Sequence, residues 1–184
     1  MGNRFRVGLV ALLAVGALVA GPLAGDAAWA KKSKIKCKIN GETFKTKGPA
    51  GGASGGYDVV SATLVVGGGR AKVHGRNPAT VEADVRVLDW TIFSTPDLTS
   101  ATFPVVVPVS GTLFSIVRTR GLDPEPIENK LWEGEGVTMT ITSFKDDRIK
   151  GTAEGTIPAV LGVDTPAVVE DCKFSVLLNG VPVQ

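Results

Sequence analysis

One histidine, two cysteines and one tyrosine in 184 residues rule out several kinds of chemistry at once. A zinc site takes three or four ligands from histidine, cysteine and carboxylate side chains. His74 and a cysteine pair that reads as a disulfide leave too few. A Ser-His-Asp triad would have to use His74, and no serine stands in a G-x-S-x-G elbow. Calcium asks only for oxygens. Its candidates, Asp146-Asp147 and Glu170-Asp171, lie outside any calcium-loop spacing, and Asp146-Asp147 is better read as hairpin-turn chemistry. No catalytic, cofactor-binding or metal-binding residue is assigned, and the chain is read as a non-enzyme. It has no sustained 3.6-residue apolar period beyond one short turn near 127–132, and no internal repeat. The lone tyrosine, Tyr57, and few tryptophans do not supply the aromatic girdles of an outer-membrane barrel.

What is present begins with export. Arg4 and Arg6 precede an apolar run over residues 7–20, followed by Gly21, Pro22 and an Ala28-Trp29-Ala30 ending. That order predicts a secretory signal peptide over 1–30, cleaved after Ala30. The run is too short to span a bilayer core, which needs ~20 apolar residues, so no integral span is expected after cleavage. Without the leader's two arginines and Asp26, 18 basic and 17 acidic side chains remain. A charge so nearly balanced gives no field to attract nucleic acid. Periplasmic or secreted bacterial localisation follows. In that compartment Cys37 and Cys172 are expected to form one disulfide, which requires their Cα atoms within ~7 Å and so makes the first and last strands neighbours.

The mature segment 31–184 reads as one domain whose pattern is that of strands. Over 34–39, Ile35, Cys37 and Ile39 alternate with three lysines, and Asn40-Gly41 is a strong hairpin-turn signal that returns Phe44 to the core. Val137, Met139 and Ile141 alternate with threonines, and the return arm places Ile149, Gly151, Ala153, Gly155 and Ile157 on one face. A three-residue turn at Asp146-Asp147-Arg148 would set Ile141 against Ala153 and Met139 against Gly155. Over 80–93 the apolar parity changes from Val81–Val87 to Leu88–Ile92, which predicts a β-bulge near Val87-Leu88. The glycine-rich segment 48–56 reads as a flexible loop, and Gly67-Gly68-Gly69 as a tight connection. Roughly eight to ten strands with turns between them give an all-β fold, an antiparallel β-sandwich or small barrel.

Residues 119–136 form the longest irregular stretch. Long loops in compact domains are often functional, and here Trp132 sits among acids. Asp123, Glu125, Glu128, Trp132 and Glu133 are therefore the candidate binding loop. The row of lysines over 31–38 reads as the solvent face of an edge strand.

Three stretches carry a likeness: I-N-G-E-T-F at 39–44, T-I-T-S-F-K-D-D-R-I-K-G-T-A-E-G-T-I at 140–157, and V-E-D-C-K-F-S-V at 169–176. Together they resemble small exported bacterial β-sandwich proteins of unknown function, many of them lipoproteins. In those an early I-N-G strand pairs with a late hairpin and a terminal strand. The resemblance implies the fold and brings no catalytic residue, and this chain lacks a lipidation cysteine near its cleavage site. The functional expectation is a non-enzymatic exported module that binds an envelope component or a protein. A lipocalin-like carrier of a small apolar ligand is the alternative, and a hydrolase using carboxylates of 119–136 stands third.

Overall fold

A computed structural model describes residues 33–46, 51–75, 77, 80–121 and 125–179. The expected leader, Lys31, Lys32 and Asp123 lie outside the described residues. The chain is all-β. In order come β1 (Lys34–Ile39), β2 (Glu42–Lys45), β3 (Gly51–Asp58) and β4 (Thr63–His74). Next are β5 (Glu82–Ile92), β6 (Val105–Pro108), β7 (Gly111–Arg120) and β8 (Glu128–Gly134). The last are β9 (Val137–Lys145), β10 (Arg148–Ile157), β11 (Ala159–Leu161) and β12 (Ala167–Asn179).

All twelve strands join one sheet in the order β11-β8-β7-β5-β4-β3-β12-β10-β9-β6, with β1 on β12 and β2 on β1. The pairings are antiparallel except β12 with β3, which touch in parallel only at Leu178–Gly55 and Asn179–Gly56. β12 therefore joins two halves. One half is β6-β9-β10-β12-β1-β2 and the other is β3-β4-β5-β7-β8-β11. The halves face each other: Trp90 of β5 packs on Phe174 of β12 at 6.0 Å, and Phe44 of β2 meets Phe114 of β7 edge-on at 6.1 Å. The result is sandwich-like and not closed into a barrel, which corrects the barrel alternative. The strand number exceeds the roughly eight to ten expected from turn spacing, because segments read as loops are strands.

The first of these is the glycine-rich one. Residues 51–56 belong to β3, and Gly67, Gly68 and Gly69 lie in the middle of β4. Glycine is used here for close approach. A Cβ on Gly68 would meet the Gly52 carbonyl and the Thr46 side chain, and one on Gly67 would strike the Asp89 carboxylate. The turns that do need φ > 0 lie elsewhere, at Asn40-Gly41 and Asp146-Asp147.

Asp146 and Asp147, at φ +51° and +56°, form a two-residue turn, since Lys145 pairs with Arg148. Positive φ at both positions is the hairpin geometry whose twist matches the strands. The expected three-residue turn is thus corrected. Register then slips by one residue in β9 beyond Ser143, so Ile141 opposes Gly151, Met139 opposes Ala153 and Val137 opposes Gly155. Large still meets small, with different partners from those expected. Phe174 covers Gly151 from the other neighbour, leaving no room for a Cβ there.

Cys37 and Cys172 are bonded across β1 and β12 within the same half. Both are 1% exposed, so the bond is part of the core. Beside it β12 carries one extra residue. Both neighbouring strands lose a register step between Cys172 and Val169–Glu170, and Asp171 takes φ +50°. That is a β-bulge, and it lies in β12. β5 has none: its ladder with β4 runs without interruption from Glu82 to Ile92, and its ladder with β7 from Glu82 to Thr91.

Candidate functional site

Of the five predicted binding residues, four fall on described positions, and they do not converge. Glu128, Trp132 and Glu133 belong to β8. Trp132 is buried, stacked on Phe114 at 5.3 Å, and its indole Nε1 donates to the Thr165 carbonyl at 2.9 Å. It is a core residue with a satisfied polar end. Glu133 points to the opposite face and Glu125 is exposed outside the strand. Glu128 enters a charged constellation, with Arg118 at 2.9 Å and Lys130 at 2.6 Å. The picture of 119–136 as one binding loop is corrected to the end of β7, a connection and a strand.

The constellation that Glu128 joins was not foreseen. β4, β5, β7 and β8 have inner faces that change character along their length. Near one end they bury Leu64, Val66, Leu88, Trp90, Ile92, Phe114 and Trp132 against the other half. Further along, the same inward parity continues as charged side chains. Register sets them in rows across the strands. Arg70 opposes Arg86, then Ile116 and Lys130. Lys72 opposes Asp84, then Arg118 and Glu128. His74 opposes Glu82 and then Arg120. Lys72, His74, Arg118 and Arg120 are exposed. These rows form a shelf that the opposing half leaves open to water.

Arg86 anchors the shelf to the core. Its backbone continues the row of Leu88 and Trp90, and its side chain is only 9% exposed. It holds Asp84 through two bonds, Nε to Oδ1 at 3.0 Å and Nη2 to Oδ2 at 3.1 Å, and Nη1 donates to Glu42 of β2 at 2.7 Å. The hydrogen bond to Asp84 leads in raising the Arg86 pKa above its ordinary value, against the effect of burial. Glu42 is lowered, first by its hydrogen bond to Arg86 and then by that residue's charge. For Asp84 burial is the largest influence and acts upward, but Arg86, Arg118 and Arg70 together outweigh it and the pKa is lowered. A guanidinium gripping a carboxylate in a fork is among the stronger charge-assisted contacts. Further out, Arg120 binds Glu82 at 2.6 Å.

Two depressions on the described surface are open and mainly polar. One of about 190 Å³ lies on the shelf, lined by His74, Glu82, Ala83, Asp84 and Arg118. The other, about 580 Å³, runs over the β12 bulge past Glu154, Thr156, Glu170 and Asp171. Its size is no argument for it, because it is a wide trough and Asp171 is already bonded to Lys38 at 2.7 Å. Neither has the apolar, enclosed lining of a lipid carrier. Among the described residues no group of three or more histidine, cysteine or acidic side chains is placed to hold a metal, and no helix is long and apolar enough to cross a membrane.

Asp89 stands apart on the opposite face of β5. Its carboxylate lies over Gly67, and burial alone raises its pKa to about 6.

No protein-family model, no curated protein and no solved structure matches the chain. Function has therefore to be argued from the shelf itself. A signal for it was present in the sequence: R-A-K-V-H at 70–74, E-A-D-V-R at 82–86 and R-T-R at 118–120 place charge at every second position, in phase with the buried residues beside them.

Proposed function

We propose that the chain is a non-catalytic binding module working outside the cytoplasm, in or beyond a bacterial envelope, and that it meets its ligand on the shelf. The observation that carries this reading is the run of β4, β5 and β7 beyond the packed core with charge on the inward face. Strand length costs conformational entropy, roughly 1–2 kcal/mol for each residue ordered. Here that ordering is not repaid by apolar burial. What it produces is an array of cations and carboxylates whose spacing is set by the sheet, at ~4.8 Å between strands and ~6.7 Å between rows. Such an array suits a partner with a regular pattern of charge. The leader pattern and the buried Cys37–Cys172 bond support action in an oxidising compartment.

The test is co-sedimentation of the mature protein, residues 31–184, with purified bacterial cell walls. Wild type is expected in the pellet, in a salt-dependent manner. The triple variant Arg118→Gln, Arg120→Gln, Lys130→Gln, checked for folding by near-ultraviolet circular dichroism, is expected in the supernatant. Equal pelleting of the two would sink the shelf as the binding surface.

A further inference from the structure

Arg70 lies where core gives way to charge, and its surroundings are out of balance. Directly opposite it on β5 is Arg86. Like charges opposed on one sheet face repel, so acids are needed nearby. Asp84 and Glu42 supply them, but their bonds go to Arg86. Asp84 turns what remains toward Arg118, at 3.6 Å. Arg70 takes part in none of these bonds, and its Nε is buried with no hydrogen-bond partner. A buried donor without an acceptor is costly, and a guanidinium N–H more so than a neutral one. Burial, followed by the charge of Arg86, disfavours the charged form of Arg70, while Asp84 and Glu42 act in the other direction. Lys72 is the next residue on the same strand and face. It is exposed and enters no ion pair among the described residues.

We propose that Arg70 and Lys72 seat an oxyanion, a carboxylate, sulfate or phosphate group of a ligand laid along the shelf. This inference rests on the shelf being the binding surface. An oxyanion there draws the Arg70 guanidinium outward, so that its Nε–H, buried and without a partner in the ligand-free fold, donates in the fork geometry that guanidinium offers to planar or tetrahedral oxyanions. It also places negative charge beside two opposed arginines. The ammonium of Lys72 adds a point charge one pleat further out. The group can be borne by an acidic glycan or be a free inorganic ion, and the experiment separates these sources.

Arginine Nε–H resonances of the disulfide-intact mature protein are followed by ¹⁵N NMR. Four probes are titrated: sulfate, phosphate, a sulfated oligosaccharide and a carboxylated oligosaccharide of the same length. The Arg70 signal is expected to move and saturate, with at least tenfold tighter binding for a glycan than for a free ion. Arg70→Gln is expected to weaken glycan binding at least tenfold, while Lys34→Gln, on the outward face of β1, changes it less than twofold. An Arg70 signal unmoved by all four probes overturns the site. Saturation by the inorganic ions alone keeps the site and eliminates the glycan as its source. If Arg70→Gln binds glycan as wild type does, the seat fails whatever the cell-wall result. If the seat behaves as stated while the triple variant still pellets, cell-wall binding through Arg118, Arg120 and Lys130 fails and the oxyanion site stands.

Discussion

β5 and β12 are long strands in which the hydrophobic residues change parity, and they do so by different physics. In β12 the inward side chains are Ala167 and Val169, then Cys172, Phe174, Val176 and Leu178. The extra residue at Asp171 turns the second set back toward the core. In β5 the inward parity never changes. Arg86, Leu88, Trp90 and Ile92 follow each other on one face, and what changes is the surroundings of that face. Valines 85 and 87 share the outer face with Asp89. A parity switch therefore has two solutions: add a residue, or let the strand run out of its core. The neighbours tell them apart. At the β12 switch two consecutive acids, Glu170 and Asp171, interrupt both parities, whereas in β5 the inward acids Glu82 and Asp84 meet Arg120 and Arg118 at the same heights on β7.

The comparison can be broken most severely by inserting one alanine between Cys172 and Lys173. The insertion would turn Phe174, Val176 and Leu178 to solvent, each worth roughly 1.5–3 kcal/mol when buried. Against a total stability of about 5–15 kcal/mol, the domain should be largely unfolded. Deleting Asp171 should do the opposite: Val169, Glu170 and Cys172 then alternate without a bulge, and Cys172, Phe174, Val176 and Leu178 keep facing inward. Free-thiol titration of the oxidised protein should find the Cys37–Cys172 bond intact in the deletion variant; reduced or mispaired cysteines there would refute the bulge.

Next in size is the bond itself. The double variant Cys37→Ser, Cys172→Ser releases a loop of sequence separation 135, and the chain-entropy model gives a loss of about 4–5 kcal/mol. Urea unfolding with a much lower midpoint and a steeper slope, from an unfolded chain no longer held compact by the bond, is the expected result.

Arg86→Met tests β5. If charge pairing rather than an extra residue holds its outer half, the variant strands Asp84 and Glu42 and costs about 2–4 kcal/mol, at the low end for a broken buried pair because Glu42 is largely exposed. The carboxylates are held below their unfolded values, so the stabilisation from this pairing is present above pH ~4 and fades as pH falls through the folded values. A double-mutant cycle of Arg86→Met with Glu42→Gln between pH 7 and pH 3 would show the coupling disappear.

The smallest effect is a gain. Asp89 has a folded pKa of about 6, above its unfolded value. Charging it within the fold costs nothing below pH ~4, grows as pH rises toward 6 and is complete above that, up to about 2–3 kcal/mol. Asp89→Asn should therefore raise Tm at pH 7.5 and leave it nearly unchanged at pH 4. An equal shift at both values would assign the effect to packing.

The fold class, the Asn40-Gly41 hairpin, the β9–β10 hairpin and the Cys37–Cys172 pairing were legible because period-two alternation and turn residues are local signals. The glycine-rich strands were not. Gly67 is glycine because Asp89 lies over it, and Gly68 because Thr46 and Gly52 do. Those partners come from other strands, and a glycine demanded by contact has the same letter as one demanded by a turn. Trp132 was misread for a related reason. Glu128, Lys130 and Trp132 share one parity, and two charges in phase with a tryptophan do not look like a buried face until it is known that only its inner end is covered. The shelf escaped notice on the same ground, since its charges stand where alternation predicts core.

The Cys37–Cys172 bond also decides how the protein carries load. Both cysteines lie near the ends of the described chain, and the residues between them form a covalent ring. A pull applied at residue 33 and residue 179 passes from Cys37 to Cys172 through sulfur. Only the short tails outside the ring can lengthen, by about 3.5 Å per residue. The shelf and nearly all of the core lie inside the ring and feel no tension. Held at one terminus and tugged at the other, the protein would keep its shelf in shape for as long as that bond stays oxidised.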